Sequence, residues 1–246
     1  MGKNKLSKFA EMEHFSNLLQ PTWEELVKGS FPFRGKWGSD FFRNGHPIVA
    51  ELGCGKGEYT VTLAGLHPGR NYIGLDIKGA RMYTGAREAL QRPLPNVAFI
   101  RTKIENTPLL FGPGEISALW LTFPDPQLKK VRKRLTSTFF IGKYLSFLKP
   151  GGTIHLKTDS IFMYQYTSAL VRLNGFEILA DTADLYATEP EDEVLSIRTF
   201  YEKQWLDRGI PVKYLAFRPS GERELLEPGE DFEKEAYRSF GRSART

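Results

Sequence analysis

The alternation of strand-like and helix-like stretches limits the fold of this chain more than any other feature. Short apolar runs typical of buried strands lie at 47–53, 71–77, 96–101, 116–123, 153–158 and 176–181. Stretches with helical spacing lie between them, at 58–67, 79–91, 136–148 and 160–175. Strands joined through helices form a parallel sheet with helices on both faces. We therefore predict an α/β fold with a mostly parallel, twisted sheet.

The segments on either side of this alternation predict the domain organisation. Residues 1–45 are rich in Gly, Pro and aromatic side chains, which predicts a partly irregular N-terminal extension with a short helix at 22–28. The sheet domain is predicted to span 46–220, and 221–246 form a C-terminal tail. No internal repeat or low-complexity tract interrupts this order.

Two local predictions concern element ends. The segments 196–207 and 212–219 are both rich in apolar and aromatic residues, and we predict that they pair as a C-terminal antiparallel hairpin. Thr136 stands at the start of the helical stretch 136–148 and is predicted to be its N-cap.

Composition excludes several protein classes. Of the 246 residues, 41% are hydrophobic and 13% aromatic, which is enough to form a core and argues against a disordered chain. A single cysteine, Cys54, permits neither an internal disulfide nor an all-cysteine metal site, and the four histidines are isolated in the sequence. No signal peptide or membrane span is readable. We therefore expect a cytoplasmic protein without bound metal.

A glycine-rich turn follows the first predicted strand, in the stretch "ELGCGKG" at 51–57. Glycines there let the backbone turn sharply and approach a ligand at the carboxyl edge of the sheet. The spacing G-x-G-x-G differs from the dinucleotide-binding G-x-G-x-x-G, and Glu58 occupies the last glycine position. Glu58 would repel a pyrophosphate from the helix N-terminus, whereas Glu51 suits a cationic ligand group.

The second predicted strand ends at Asp76, roughly 20 residues further on, where an acid can accept both hydroxyls of a ribose. A ligand with a ribose, a positive centre and no phosphate is S-adenosylmethionine. In these two strands the chain resembles the class I methyltransferases.

The stretch "LTFPDPQLKKVRKRL" at 121–135 combines a rigid corner with a run of cations. Pro124 and Pro126 restrict the backbone around Asp125. The run 129–134 carries five positive charges, which equals the net charge of +5 for the whole chain. The positive charge is therefore local, and local patches of this kind attract polyanions. Taken alone, the same stretch is more typical of a rigid turn beside a solvated helix start.

Four motifs in order then resemble the tRNA (guanine-N7-)methyltransferase family. They are "FPDP" after the fourth strand, a Lys pair behind it, "KTDS" after the fifth strand and "TFYE" at 199–202, and the match runs from about residue 33 to 202. The resemblance implies a Rossmann-like class I methyltransferase fold and transfer of a methyl group from S-adenosylmethionine to N7 of a guanine in the variable loop of tRNA. Two departures are Gln127, where the family commonly has Trp, and a basic run that is shorter and lacks His.

The resemblance also implies roles for individual residues. Cofactor contacts are expected at Glu51, Gly53, Gly55, Asp76, Ile104, Glu105 and Asp125. Substrate contacts are expected at Lys129, Asp159, Thr199, Phe200, Tyr201 and Glu202. Asp125 is also the expected catalytic residue. Because guanine N7 needs no deprotonation, an orienting and electrostatic role suits this carboxylate better than general-base catalysis.

Three residues that could suggest other chemistry are predicted to be packing. Cys54 lies in the glycine turn and is expected to be a small buried side chain. His155 lies on the apolar fifth strand, and Trp37 lies in an aromatic-rich segment.

Two alternative functions remain open at this point. One is a methyltransferase of the same fold that acts on another RNA, a protein or a small molecule, because a fold does not fix a function. The other is a non-catalytic RNA-binding protein, which would fail to bind the cofactor. A nicotinamide dehydrogenase is disfavoured by the glycine spacing. The sequence does not decide between a monomer and a homodimer.

Overall fold

The computed structural model of the protein describes residues 2–187, 192–221 and 224–235, with side chains from residue 6 onward. Its strands are β1 (Leu18–Leu19), β2 (Ile48–Leu52), β3 (Asn71–Asp76), β4 (Val97–Arg101), β5 (Ile116–Thr122), β6 (Leu148–Thr158), β7 (Glu177–Thr182) and β8 (Lys213–Arg218). Its α-helices are α1 (Gly2–Met12), α2 (Trp23–Val27), α3 (Glu58–Leu66), α4 (Gly79–Gln91), α5 (Thr107–Leu110), α6 (Thr138–Leu145), α7 (Ile161–Leu173) and α8 (Phe200–Leu206). A π-helical turn covers Trp37–Phe42, and 3₁₀ turns cover Ile104–Asn106 and Val131–Lys133.

The strands form one eight-stranded sheet in the order β1-β4-β3-β2-β5-β6-β8-β7. All neighbouring pairs up to β6 are parallel, and β8 pairs antiparallel with both β6 and β7. The predicted α/β fold with a C-terminal antiparallel pair is therefore confirmed. The expected pairing of 196–207 with 212–219 is wrong. β8 pairs with β7 instead, and most of the first segment forms α8.

The reason for this difference is helix capping. Thr199 Oγ1 accepts a hydrogen bond from Glu202 N at 3.3 Å, and the Glu202 carboxylate accepts one from Thr199 N at 3.2 Å. This reciprocal capping box starts α8, and Tyr201 and Trp205 recur at helical rather than strand spacing.

Both faces of the sheet are covered, as near-continuous apolar strands require. All five residues of β2 are buried. Ala50 and Leu52 belong to a core that includes α6, α7 and the N-terminal aromatics. Val49 faces the opposite way, into a core formed with α3 and α4.

The N-terminal residues contribute an aromatic cluster to the first of these cores. Trp37 is fully buried among Phe33, Phe41 and Phe111, with ring centroids 5.2–6.0 Å from its own. Its indole Nε1 donates a 3.0 Å hydrogen bond to the Leu110 carbonyl. The prediction that Trp37 is a core residue is confirmed. The short helix predicted at 22–28 is also present as α2.

The start of helix α6, in the same core, corrects one prediction. Ser137, not Thr136, is the N-cap of α6, and Thr136 is fully buried with its hydroxyl 2.7 Å from that of Thr167. Helix α7 is capped by Ser160, whose hydroxyl accepts from Met163 N at 3.0 Å. Helix α7 thus starts directly after Asp159 and its cap.

Residues 224–235 lie along α6 and α7. Glu227 accepts hydrogen bonds from Thr138 N at 2.9 Å and from the Tyr166 hydroxyl at 2.6 Å. Ser160 Oγ donates to Glu235. Residues 222–223 and 236–246 of the predicted tail lie outside the described residues. Within the described part of the chain, none of the helices is long and apolar enough to cross a membrane.

Candidate active site

A cleft of about 250 Å³ opens at the carboxyl ends of β2, β3, β5 and β6. The chain order of the strands reverses between β2 and β5, and ligands of open α/β sheets bind at such a reversal. Seven of the predicted site residues line the cleft, namely Glu51, Gly53, Gly55, Asp76, Asp159, Thr199 and Tyr201. Residues from distant parts of the sequence therefore meet because the strands that carry them end at one edge.

The glycine turn shapes the floor of the cleft. Gly53 and Gly55 have φ values of +87° and +57°, which L side chains rarely adopt. A Cβ at either position would meet nothing within 4 Å, so the space beside the backbone is open. Gly57 differs, because a Cβ there would lie 2.7 Å from the Phe99 ring. The first two glycines thus leave room for a ligand, while the third allows close packing.

Glu51 is a buried carboxylate at the end of β2. It accepts hydrogen bonds from the backbone N of Thr60 at 3.0 Å, from the Thr60 hydroxyl and from the Thr122 hydroxyl at 2.5 Å. Burial nevertheless raises the pKa of Glu51 to about 7, and the nearby charge of Asp76 acts in the same direction. A buried carboxylate of this kind favours a cationic ligand group, which would stabilise its charged form.

Asp76 lies at the end of β3, on the opposite side of the glycine turn. Its Oδ2 accepts from Gly55 N at 2.9 Å and its Oδ1 accepts from Lys78 N at 2.8 Å. Beyond it lies a second hollow of about 340 Å³, which shares Gly53 and Asp76 with the cleft. This adenine-side hollow contains Ile104 and Glu105, so two further residues of the predicted cofactor set adjoin the others.

The Pro-Asp-Pro corner stands at the rim of the cleft. Phe123 and Gln127 flank it with φ values of +50° and +49°, which is strained for residues with side chains. Pro124 and Pro126 are buried, whereas Asp125 is exposed and its Oδ1 accepts from Gln127 N at 3.1 Å. Asp125 is not among the residues that line the cleft, although Phe123 is. The corner therefore presents its carboxylate outward from a fixed backbone.

The five cations of the basic run do not share one environment. Lys129, Lys130 and Arg132 are all exposed. Lys133 forms an ion pair with Glu105 at 2.6 Å, on the wall of the adenine-side hollow. Arg134 is buried, donates to the Leu128 carbonyl at 3.0 Å and lies over the rings of α7.

The wall of the cleft opposite Asp76 comes from β6 and α8. Asp159 is buried and follows β6 directly. Thr199 and Tyr201 line the cleft at the start of α8. Glu202 is fully buried and takes part in the capping box, and Phe200 is exposed with Lys56 Nζ 4.0 Å from its ring centroid. Neither of these last two residues lines the cleft.

Several lining residues were not predicted. Lys56 and Arg81 bring positive charge, and Trp205 adds an aromatic wall. Trp205 follows Tyr201 by four residues, which places both on one helix face. That signal was present in the sequence, but it is readable only if 196–207 is assigned as a helix.

Two other residues behave as predicted. Cys54 is buried in the cleft floor, and burial raises the pKa of its thiol, which disfavours a thiolate nucleophile. His155 Nδ1 lies 2.8 Å from the Tyr214 hydroxyl and its ring stacks on Trp120, with centroids 4.2 Å apart. Burial lowers the pKa of His155 to about 4, so it is neutral at physiological pH. Among the described residues, no group of three or more His, Cys, Asp or Glu side chains could hold a metal ion.

Known proteins resemble the chain in sequence and in fold. A sequence profile of the family described as "Putative methyltransferase" matches residues 45–215. The tRNA (guanine-N(7)-)-methyltransferase of Bacteroides thetaiotaomicron is 51% identical over 246 residues, which are 100% of this chain and 98% of that protein. The enzyme of the same name from Porphyromonas gingivalis is 52% identical and covers 96% of this chain and 98% of its own. The crystal structure of the 16S rRNA methyltransferase KamB aligns with a TM-score of 0.55 at 19% identity, over 70% of this chain and 86% of that one.

Proposed function

Since the chain belongs to the tRNA (guanine-N(7)-)-methyltransferase family, we propose that it transfers a methyl group from S-adenosylmethionine to N7 of a guanine in tRNA. The observation that carries the proposal is a single cleft that joins the cofactor-side acids Glu51 and Asp76 to the substrate-side residues Asp159, Thr199 and Tyr201. Methyl transfer requires both ligands to be held in adjacent positions. The reaction would take place in the cytoplasm, as the sequence predicts.

The cleft and the adjoining hollow fit the cofactor. Glu51, with its raised pKa and buried position, would hold the cationic end of the molecule. Asp76 would accept the ribose hydroxyls, and the open space beside Gly53 and Gly55 lets the ligand lie against the backbone. Ile104 and the stem of Glu105 would contact the adenine. The cofactor supplies a methyl group on a positively charged sulfur.

The chain's task is then to position the guanine. N7 carries an in-plane lone pair, so no proton has to be removed before it attacks. Asp125 can accept hydrogen bonds from the guanine N1–H and 2-amino group, an edge that distinguishes guanine from adenine. Its negative charge also stabilises the positive charge that methylation places on the purine. The strained, proline-flanked corner fixes the carboxylate in advance.

The cations beside this corner would bind the tRNA backbone. Phosphate contacts position a nucleic acid, whereas contacts to base edges specify it. Lys129, Lys130 and Arg132 are available for phosphates because they lie at the surface. Asp159 and Tyr201, on the facing wall, would complete the pocket for the target nucleotide.

The proposal is tested by incubating purified protein with unmodified tRNA transcript and methyl-labelled S-adenosylmethionine, followed by digestion to nucleosides. We expect the label in 7-methylguanosine with wild-type protein and with an Asp40→Asn control, because Asp40 is an exposed carboxylate away from the cleft. The tRNA that is incubated with an Asp125→Asn variant should carry much less label. Label in a different nucleoside, or none at all, would refute the proposed reaction.

A further inference from the structure

We propose that an open groove next to the adenine-side hollow binds an unpaired nucleotide of the tRNA, with its base stacked on Trp23. The groove has a volume of about 670 Å³, and its walls include Gln20, Trp23, Ile77, Arg101, Lys103 and Glu105. We name it the Trp23 groove. The identity of the RNA rests on the proposed function, whereas the groove itself is a separate feature of the fold.

The first argument is the exposure of its apolar residues. Trp23 is 64% exposed and Ile77 is 52% exposed, although both are large and apolar. By contrast, Trp37 and Trp120 are buried in the cores. An exposed tryptophan in a concave surface with polar surroundings is typical of an interaction site.

The backbone that carries Trp23 is fixed before any ligand binds. It is the first residue of α2, directly after Thr22, the N-cap of that helix. The Thr22 backbone donates to Glu25 at 2.7 Å and Glu25 N donates to the Thr22 hydroxyl at 3.2 Å, which fixes the helix start. A stacking platform on a capped helix loses little conformational freedom when a base binds.

The charges around the groove favour an anionic ligand. Arg101 and Lys103 belong to its walls, and the one acid among the wall residues, Glu105, is paired with Lys133 at 2.6 Å. The neighbouring Glu24 of α2 is paired with Lys28 at 2.5 Å. Glu25 adds one negative charge at the start of α2, and Arg101 and Lys103 outweigh it, so the local balance is positive, as RNA phosphates require.

The position of the groove argues for the same ligand. Ile77, Lys103 and Glu105 belong both to the groove and to the adenine-side hollow. The hollow in turn includes Gln127 of the proline corner and Lys133 of the basic run. An RNA strand held by the surface cations would thus reach the groove along a continuous surface. Aromatic platforms beside cations are how proteins bind unpaired nucleotides.

The first test compares the affinity of unmodified tRNA for four variants. Trp23→Ala should weaken binding by about fivefold or more, and Trp23→Phe, which keeps a ring, by less. Val27→Ala is the matched control on the same helix, because Val27 is also exposed but does not line the groove, and its affinity should stay unchanged. Lys103→Gln should reduce the slope of log K against log salt by about 0.7–0.9.

The second test measures the stacking itself. The chain has four tryptophans, of which Trp37 and Trp120 are buried. A Trp205→Phe background therefore leaves Trp23 as the exposed indole. Titration with tRNA should quench its fluorescence if a base stacks on it. The affinity for S-adenosylmethionine should be the same in Trp23→Ala as in wild type.

The outcomes separate this inference from the proposed function. Unchanged tRNA affinity of Trp23→Ala together with unquenched fluorescence would overturn the inference, even if 7-methylguanosine is formed. A loss of cofactor affinity without a loss of tRNA affinity would also overturn it, since the groove would then belong to the cofactor site. Weaker tRNA binding by Trp23→Ala in a protein that forms no 7-methylguanosine would support the groove and refute the reaction.

Discussion

Lys157 Nζ lies 2.8 Å from Glu202 Oε1, and both side chains are fully buried behind the wall of the cleft. The same ammonium group donates to the carbonyls of Leu195 and Ile197 at 3.0 and 2.8 Å and to the Tyr186 hydroxyl at 3.1 Å. Burial lowers the pKa of Lys157, and the charge of Glu202 opposes that effect. The ion pair thus joins β6 to the segment that precedes and starts α8.

This connection matters because each partner neighbours a cleft residue. Lys157 is two residues before Asp159, and Glu202 directly follows Tyr201. Glu202 also closes the capping box that places Thr199 at the cleft. The ion pair therefore links the β6 part and the α8 part of the cleft wall that would hold the substrate.

We predict that Lys157→Met lowers the free energy of unfolding by roughly 3–5 kcal/mol, because it leaves Glu202 buried without its counter-ion. The double variant with Glu202→Gln should recover part of this free energy, since Gln can still close the capping box. Urea denaturation of both variants checks this. A single variant as stable as wild type would mean that the buried charge is compensated elsewhere. The double variant should be slow in methyl transfer despite its recovered stability, because it lacks the ion pair that links the two parts of this wall.

The roles implied for Thr199 and Glu202 illustrate what sequence reasoning could and could not reach. Strand ends alone were enough to bring Glu51, Asp76 and Asp159 to one edge, because parallel strands end together. The same reasoning could not place Glu202, because it assigns 196–207 to a strand of a hairpin. The T-x-x-E capping signal at Thr199 and Glu202 is in the sequence, and the four-residue spacing of Tyr201 and Trp205 agrees with it.

Cofactor affinity should depend on pH through Glu51. Burial raises the pKa of Glu51 to about 7, so its proton must leave when a cationic group binds beside it. We predict that affinity for S-adenosylmethionine falls as pH drops below 7, by at most about tenfold per pH unit. Calorimetry at a series of pH values on either side of the Glu51 pKa measures this. Glu51→Gln should bind more weakly above that pKa and show little of the dependence. An equal dependence in the variant would assign the titration to another group.

The same pKa shift has a consequence for stability in the absence of the cofactor. The folded-state pKa of Glu51 is raised above its ordinary value of 4.5, so its contribution to stability is fully present below 4.5 and is lost as pH rises through about 7. The Glu51→Gln variant should therefore gain stability relative to wild type between these limits. Thermal unfolding across that range checks the sign.

Asp76→Ala should weaken cofactor binding by on the order of 2–4 kcal/mol and leave tRNA binding largely intact, because the ribose contact belongs to the cofactor alone. Asp76 also accepts hydrogen bonds from Gly55 N and Lys78 N, so the glycine turn can shift in this variant. Asp76→Asn is the matched control, since its amide oxygen can keep one of these hydrogen bonds. Calorimetry on both variants tests the assignment, and unchanged cofactor affinity in Asp76→Ala would remove Asp76 from the site.

Neutralising Lys129, Lys130 and Arg132 together should weaken tRNA binding and reduce the slope of log K against log salt by about 0.7–0.9 for each phosphate that the variant no longer binds. Arg134→Gln serves as a contrast, because Arg134 is buried against carbonyls and rings and should affect stability rather than the salt slope. Binding measured at several salt concentrations decides between them. An unaltered slope in the triple variant would show that these cations bind no phosphate and are only solvated.

The different environments of the five cations could not be predicted from the sequence, for a physical reason. Five cations within six residues look equivalent in a linear pattern, and their separation depends on the tertiary positions of α7 and of the turn at Ile104–Asn106. Arg134 reaches the rings of Phe162 and Tyr166, and Lys133 reaches Glu105. Residues so far apart in the sequence share no helix or strand periodicity, so a sequence pattern does not predict these contacts.

Asp125→Asn should lower the rate of methyl transfer by on the order of 10²-fold or more, the range found when one preorganised electrostatic partner is removed. The amide keeps the size of the side chain and can still accept from Gln127 N, so the strained corner should persist. It removes the negative charge that offsets the methylated purine, and it can present a donor toward the guanine N1–H. Cofactor and tRNA affinities should change much less, because other residues also hold each ligand.

Single-turnover kinetics across pH separate this role from general-base catalysis. Since N7 needs no deprotonation, the wild-type rate at saturating cofactor should not follow a single carboxylate titration above a pH of about 6. Saturating cofactor is required because Glu51 makes binding, rather than the chemical step, depend on pH. A near-normal rate in Asp125→Asn would show that Asp125 only shapes the turn. Asp159, which lines the cleft on the facing wall, would then be the candidate for the electrostatic role.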